Sequence, residues 1–213
     1  MKHRSYAEAL EEAVKHHGDF RKTDDKGAAM SAIDDYLFAL RGDPTNLQII
    51  MALGDLYSEV GEWGLGIALM TLAHMTDPRN PANLNNLAAA LNRSGRTKEA
   101  RKFYEEAIVE LKASGELSFL PHLYNNIATT WVGNGTPGRC LDWCDRALEI
   151  DPAHPEAMRT KAQALLELGD FKRGWPLYYQ HMRSRKQRTY LTNDVPLPRW
   201  TGKRGQNVIL IGE

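Results

Sequence analysis

Apolar residues recur along most of the chain at spacings of three and four positions, which is the spacing of one face of an α-helix. Aligning the chain on its Asp-Pro pairs shows that pairs of such amphipathic segments repeat with a period of 34 residues. One pair of helices cannot bury its own apolar face, so neighbouring pairs are expected to stack on each other. The pattern predicts four repeats, at residues 47–80, 81–114, 121–154 and 155–188.

Three recurring positions have a physical reason. A glycine stands where each first helix must end, because glycine tolerates the left-handed conformation found there: Gly61, Gly95, Gly135 and Gly169. A small residue occupies the point where paired helices approach most closely: Gly54, Ala88, Ala128 and Ala162. Pro78 and Pro152 are expected to stop second helices, because proline lacks an N–H donor and clashes with the preceding turn.

The repeat resembles that of the tetratricopeptide repeat (TPR) family. In the first repeat the matching residues are Leu53-Gly54, Tyr57, Gly61, Ala73 and Pro78, and the later repeats keep the same register. The resemblance implies an all-α fold, a right-handed superhelical solenoid of TPR helix hairpins. It also implies that the first helices line a concave groove.

The N-terminal residues 1–46 are interpreted as a degenerate capping repeat. Tyr6 to His17 has a helical pattern with His16-His17 at its end, so residues 18–27 are expected to form an unusually long connection. The following segment matches the second helix of a repeat at Ala32, Tyr36, Ala39 and Asp43-Pro44. Residues 115–120 interrupt the period and are expected to extend a helix or to form a short loop.

The helical pattern stops after about Tyr190, and the chain finishes with the β-branched apolar run VILIGE at 208–213. Such a run is typical of a buried strand. Residues 189–213 are therefore interpreted as a linker and one short strand that begins a truncated next domain.

The same C-terminal region resembles the junction of bacterial TPR-glycosyltransferase proteins, which are similar to O-linked N-acetylglucosamine transferase. The matching residues are Gly174, Trp175, Tyr178, Pro198, Trp200, Gly202 and Glu213. The resemblance implies a glycosyltransferase-like parent protein. Because the chain ends before the glycine-rich loop and the sugar-nucleotide machinery of that group, it is not expected to be an enzyme itself.

Polar side chains on the first helices are the candidate peptide-binding residues. Asparagine carries both a donor and an acceptor, so a row of asparagines can hold the backbone of an extended peptide whatever its side chains. NNLA at 85–88 and NNIA at 125–128 resemble the asparagine ladder of O-linked N-acetylglucosamine transferase. The alternative is that some asparagines bridge adjacent repeats. The predicted groove residues are Gln48, Asp55, Asn85, Asn86, Asn92, His122, Asn125, Asn126, Arg159 and Gln163, with Ser58 and Thr129 at related positions.

The charge balance gives no global attraction to nucleic acid or to a membrane, because 27 Lys and Arg oppose 27 Asp and Glu. The basic run RSRKQR at 183–188 is interpreted as a solvated helix end, and a nucleic-acid contact is the less favoured alternative. No stretch approaches the ~18 apolar residues of a membrane span, and the N-terminus does not resemble a secretory signal. A cytoplasmic location is therefore expected.

No catalytic, metal or cofactor site is predicted, because no complete set of ligands or catalytic residues is present. Cys140 and Cys144 lie one helical turn apart and are interpreted as core residues. The leading hypothesis is a scaffold that binds an extended peptide or protein segment, as the N-terminal recognition region of a glycosyltransferase-like protein. The alternative is a free-standing assembly scaffold that self-associates as a homo-oligomer.

Overall fold

A computed structural model of the chain describes residues 4–132 and 136–184. These residues contain no strand, which confirms the predicted all-α class, and the predicted strand and linker lie outside them. Leu117–Phe119 forms a short 3₁₀ turn. The α-helices are α1 (Tyr6–Thr23), α2 (Lys26–Gly42), α3 (Leu47–Glu59), α4 (Trp63–Thr76), α5 (Pro81–Arg93), α6 (Thr97–Ser114), α7 (Leu120–Thr129), α8 (Pro137–Ile150), α9 (Pro155–Glu167) and α10 (Phe171–Ser184).

The helices belong to two compact units, residues 1–116 and residues 117–213, called here the N-terminal unit and the C-terminal unit. In the N-terminal unit, α1–α2, α3–α4 and α5–α6 form helical hairpins, and α2 and α4 also pack against the first helix of the next hairpin. The C-terminal unit contains the hairpins α7–α8 and α9–α10, and α8 packs against α9. Each unit is therefore a stack of helical hairpins, as the sequence period predicts.

The turns within the hairpins confirm the expected role of the periodic glycines. Gly61, Gly95 and Gly169 have φ angles of 90°, 84° and 77°, in the left-handed region that side chains disfavour. Gly135 lies outside the described residues. The second helices α4 and α8 end two residues before Pro78 and Pro152, so each Asp-Pro pair does stop its helix.

The small residues at the predicted helix crossings are buried. Ala88, Ala128 and Ala162 have no exposed surface. A Cβ atom added to Gly54 would lie 3.1 Å from Cβ of Leu69 on α4. The two helices of a hairpin therefore approach closely at this position, which leaves little room for a larger side chain.

The expected long connection at residues 18–27 is wrong. Helix α1 continues to Thr23, because Phe20 is buried and gives the helix a further apolar contact. Only Asp24 and Asp25 connect α1 to α2. Asp24 takes up the left-handed conformation with φ of 56°, and Asp25 caps α2 by accepting the N–H of Gly27 at 2.9 Å.

As a consequence, His16 and His17 lie inside α1 instead of at its end. Nδ1 of His16 lies 2.8 Å from the Asp35 carboxylate of α2, which Arg4 also contacts at 2.7 Å. His17 is buried and reaches residues of both α2 and α3. Both histidines therefore hold the first hairpin together, and the first hairpin has the same architecture as the others.

The interruption at residues 115–120 is a short loop. Gly115 ends α6 with φ of 79°, the 3₁₀ turn follows, and α7 begins at Leu120. Cys140 and Cys144 are fully buried on α8, with their sulfur atoms 4.0 Å apart, and pack against Ala128 and Ala164. This confirms that the two cysteines are core residues.

Candidate functional site

Two depressions lie side by side on the N-terminal unit. The first, called here the N-terminal groove, has a volume of about 400 Å³. Its walls come mainly from the first helices α1, α3 and α5, and include Val14, His17, Arg21, Met51, Asp55 and Asn86. The second, called here the adjoining hollow, has a volume of about 590 Å³ and is lined by Phe20, Arg21, Asp24, Ser58, Glu59, Trp63 and Arg93. Arg21 lines both depressions.

A row of ion pairs runs between the two depressions. Arg21 donates from Nη2 to Asp55 at 2.5 Å and from Nε to Glu59 at 3.0 Å. Arg93 of α5 donates to the other oxygen of Asp55 at 2.6 Å. We call the four residues Glu59, Arg21, Asp55 and Arg93 the charged ladder. It links α1, α3 and α5 through alternating charges on the face where the groove lies.

Glu59, at one end of the charged ladder, is held in its ionised form. Burial alone would raise the pKa of Glu59, but hydrogen bonds from His17 and Arg21 lower this pKa to about 2. Because the ionised carboxylate accepts from Nε2 of His17 at 3.0 Å, this nitrogen carries a proton. The other ring nitrogen lies 3.3 Å from the hydroxyl of Tyr36, whose pKa is raised by burial. The Glu59 carboxylate therefore carries its negative charge at neutral pH.

Two of the groove residues predicted for the N-terminal unit lie together in the structure. Asp55 and Asn86 both line the N-terminal groove. Nδ2 of Asn86 points towards the sulfur of Met51 at 3.6 Å, and its oxygen accepts from Asn85 at 3.2 Å. The exposed Gln48 and the half-buried Asn85 and Asn92 lie outside this lining, and Ser58 is buried with its hydroxyl donating to the Gly54 carbonyl.

The predicted residues of the C-terminal unit lie on α7 and α9. Asn125 is buried, and its oxygen accepts from the hydroxyl of Thr160 at 2.8 Å. Asn125 thus bridges two successive first helices, which is the alternative that the sequence left open for some asparagines. Asn126 is half-buried, and Thr129 donates to its carbonyl.

The remaining three predicted residues of this unit are exposed. Nδ1 of His122 lies 3.1 Å from Nε2 of the buried His154. Gln163 donates to Glu167 at 3.3 Å, and Arg159 is exposed on the same helix. His122, Arg159 and Gln163 are therefore placed where a ligand could reach them.

Sequence reasoning missed Arg21, Glu59 and Arg93. Arg21 was missed because its segment was expected to be non-helical. A signal was present, since Arg21 and Asp55 are separated by one period of 34 residues, and Asp55 and Arg93 by 38. Residues of opposite charge at such separations on first helices lie side by side in stacked hairpins.

Within residues 4–132 and 136–184, no three His, Cys, Asp or Glu side chains are grouped so that they could hold a metal ion. In that part of the chain no helix is both long and apolar enough to cross a membrane.

Comparison with known proteins supports the resemblance to the tetratricopeptide repeat family. Residues 84–109, which cover most of the α5–α6 hairpin, match the model of a tetratricopeptide repeat family. Sperm-associated antigen 1 of Homo sapiens is 32% identical over 101 residues, and that of Mus musculus is 30% identical over 101 residues. The match covers 46% of this chain and 11% of each relative, so the chain spans about a tenth of their length.

Solved structures show the same fold at low sequence identity. A thermophilic TPR protein of Thermus thermophilus has a TM-score of 0.66 at 15% identity, over 86% of this chain and 93% of that one. PilF of Pseudomonas aeruginosa has a TM-score of 0.57 at 19% identity, over 87% and 80%. MamA of Desulfovibrio magneticus RS-1 has a TM-score of 0.57 at 13% identity, over 82% and 97%. The described residues therefore share the TPR-type fold with these proteins.

Proposed function

We propose that this chain is a protein-binding scaffold and that its N-terminal groove holds an extended peptide segment. The observation that carries the proposal is the groove itself, which is open and lies across three successive first helices. It combines an amide, an ion-pair network and apolar surface within about 400 Å³. Binding sites for peptides need this combination, because the peptide brings both backbone polar groups and apolar side chains.

Each part of the groove has a role in this proposal. The amide of Asn86 has a donor and an acceptor and matches the peptide bond of a ligand. Val14 is 58% exposed and Met51 is half-buried, so both offer apolar surface, and the flexible thioether of Met51 can adapt to different side chains. An ion pair between partly exposed side chains contributes little to stability, so the Arg93–Asp55 pair of the charged ladder can open when a ligand binds.

We expect Asn86→Ala to weaken peptide binding by about twofold to twelvefold, because one net hydrogen bond is worth about 0.5–1.5 kcal/mol. Peptides selected from a displayed library of linear sequences by the wild-type chain serve as probes, and their affinities are measured by fluorescence polarisation. Asn126→Ala, which tests the equivalent asparagine of the C-terminal unit, is measured with the same peptides.

Gln48→Ala is the matched control, since it removes an exposed amide on α3 that lies outside the groove lining. It should leave the affinity unchanged. Equal affinities for the wild type, Asn86→Ala and Asn126→Ala would show that both asparagines are structural. Failure of the wild type to select any peptide would contradict the proposed function.

We further propose that the scaffold is the N-terminal recognition region of a glycosyltransferase-like protein. The proposal is supported by the resemblance of residues 174–183 and 196–213 to the junction in that group. Gly174 is a close-packing position, because an added Cβ would lie 2.7 Å from Leu166 of α9. Trp175 and Tyr178 form an edge-to-face pair with ring centroids 5.9 Å apart, so two aromatic residues of the junction contact each other on α10.

The transferase link predicts how the gene continues. We expect the reading frame to run past codon 213 into a Gln-Gly-x-Gly-Asp loop and a sugar-nucleotide-binding domain. Sequencing the native gene downstream of this codon tests the expectation. A stop codon directly after codon 213 would contradict it and would favour the assembly-scaffold alternative.

A further inference from the structure

We propose that the N-terminal groove selects peptides with an acidic side chain, and that Arg93 binds this side chain. The acidic residue is expected about three positions along the peptide from the residue whose backbone contacts Asn86. This inference rests on the proposed function, namely that the groove holds an extended peptide. It adds a specificity that an asparagine contact to the peptide backbone does not provide.

Arg93 is the exchangeable end of the charged ladder. Its ion-pair partner Asp55 also binds Arg21, at 2.5 Å, so Asp55 remains paired if Arg93 turns to a ligand. The side chains of Arg93 and Asp55 are 41% and 32% exposed. An ion pair with this exposure adds little to stability, because water screens the two charges. A peptide carboxylate can therefore replace Asp55 as the partner of Arg93.

Arg21 is not exchangeable in the same way. It holds both Asp55 and Glu59, and Glu59 also accepts from the buried His17. Moving Arg21 to a ligand would break several bonds at once. A basic peptide side chain is disfavoured too, because displacing Arg93 from Asp55 would take from Arg93 its ion-pair partner, whereas an acidic side chain leaves Asp55 paired with Arg21.

The spacing follows from the geometry of α5. Asn86 and Arg93 are seven residues apart, so they lie on the same face, about 10.5 Å apart along the helix axis. An extended peptide advances about 3.3 Å per residue, so three residues cover this distance. The acidic side chain would enter the adjoining hollow of about 590 Å³, which is lined by Arg93 and the partly exposed Trp63. Asp24 and Glu59 also line this hollow, and their negative charges oppose an acidic side chain, so the selection depends on direct contact with Arg93.

The test is selection from a displayed library of linear peptides by the wild-type chain, Arg93→Gln and Arg93→Lys, followed by sequencing of the bound peptides. We expect the wild type to enrich Asp and Glu at one position at least threefold over the input library. Arg93→Lys keeps the charge and should retain the preference, whereas Arg93→Gln should lose it. Arg96→Gln is the matched control, because Arg96 is a comparably exposed arginine that pairs with Glu99 outside both depressions.

The possible failures of the two proposals are distinguishable. If the wild type enriches no peptide, the proposed function fails and this inference fails with it. If peptides are enriched without an acidic preference, or if Arg93→Gln keeps the preference, only this inference is overturned. Circular dichroism checks that each variant is folded. Should Arg93→Gln be unfolded, selection by the wild type at low and high salt decides, and an acidic preference that does not weaken in high salt overturns the inference.

Discussion

Replacing Gly66 by alanine should destabilise the N-terminal unit by about 3 kcal/mol, because the added methyl group overpacks the crossing of α3 and α4. The new Cβ would overlap the hydroxyl of Ser58 and lie 2.9 Å from the carbonyl oxygen of Gly54 and 3.1 Å from the amide nitrogen of Ser58. The last two atoms belong to the backbone of α3. A change of side-chain rotamer cannot relieve these contacts, so the two helices must separate.

Ser58 cannot readily turn away from the methyl group added at position 66. It is buried, and its hydroxyl donates to the carbonyl of Gly54 at 2.9 Å, so turning it away would leave a buried polar group without this bond. Urea denaturation followed by circular dichroism gives the free energy of unfolding of the wild type and of Gly66→Ala.

Gly64→Ala is the control, because Gly64 lies on the same helix but its added Cβ would meet no atom of another helix within 4 Å. Alanine favours the helix over glycine by up to about 1 kcal/mol, so this variant should be as stable as the wild type or more stable. If both alanine variants were equally destabilised, or if Gly66→Ala were as stable as Gly64→Ala, the close crossing of α3 and α4 at Gly66 would be refuted.

The sequence predicted the hairpins because their determinants are local and repeat in every hairpin. Gly61, Gly95 and Gly169 supply left-handed turns, and the Asp-Pro pairs stop the second helices. Gly66 shows the limit of this reasoning. The side-chain volume allowed at a crossing depends on how closely two backbones approach, and in a segment that contains Gly61, Gly64 and Gly66 the sequence does not tell which glycine is required.

The candidate site was less predictable, because its charged residues come from three hairpins and the sequence did not predict the full first helix of the first hairpin. Arg21 joins the ladder only because α1 continues beyond His17, and that extension depends on the burial of Phe20. Asp55 was predicted as a groove residue, but its two arginine partners lie 34 and 38 positions away. Predicting Arg21 required knowing that α1 extends to Thr23 in the same stack of hairpins, and predicting Arg93 required the pairing of a residue at the end of α5 with Asp55 of α3.

Acidification should destabilise the C-terminal unit through His154, which is the N-cap residue of α9. His154 is 2% exposed, and its Nδ1 accepts the N–H of Ala157 at 3.2 Å. A nitrogen that accepts carries no proton, so Nε2 holds the proton of the neutral ring and donates to Nδ1 of His122 at 3.1 Å. Protonation of Nδ1 would abolish the cap.

The pKa of His154 is lowered, first by burial and then by the neighbouring His122, while Glu156 and Asp151 act in the opposite direction. The unfolded chain therefore binds a proton at His154 at higher pH than the folded chain does. The free energy of unfolding should fall as the pH drops through the ordinary histidine pKa of about 6.5. This fall should end below the pKa of His154 in the folded state, where both states are protonated.

His154→Asn isolates this effect, because asparagine is a good N-cap residue that does not titrate in this range. Between pH 7.5 and 5 the wild type should lose about 1 kcal/mol more stability than this variant, which is the worth of a typical N-cap. Urea denaturation at both pH values measures the difference, and NMR titration of the imidazole gives the pKa of His154 directly. A pKa of His154 at 6.5 or above, or the same loss of stability in both proteins, would refute the neutral ring of His154 in the folded chain. Only a ring that is neutral when folded and charged when unfolded makes the free energy of unfolding fall as the pH drops.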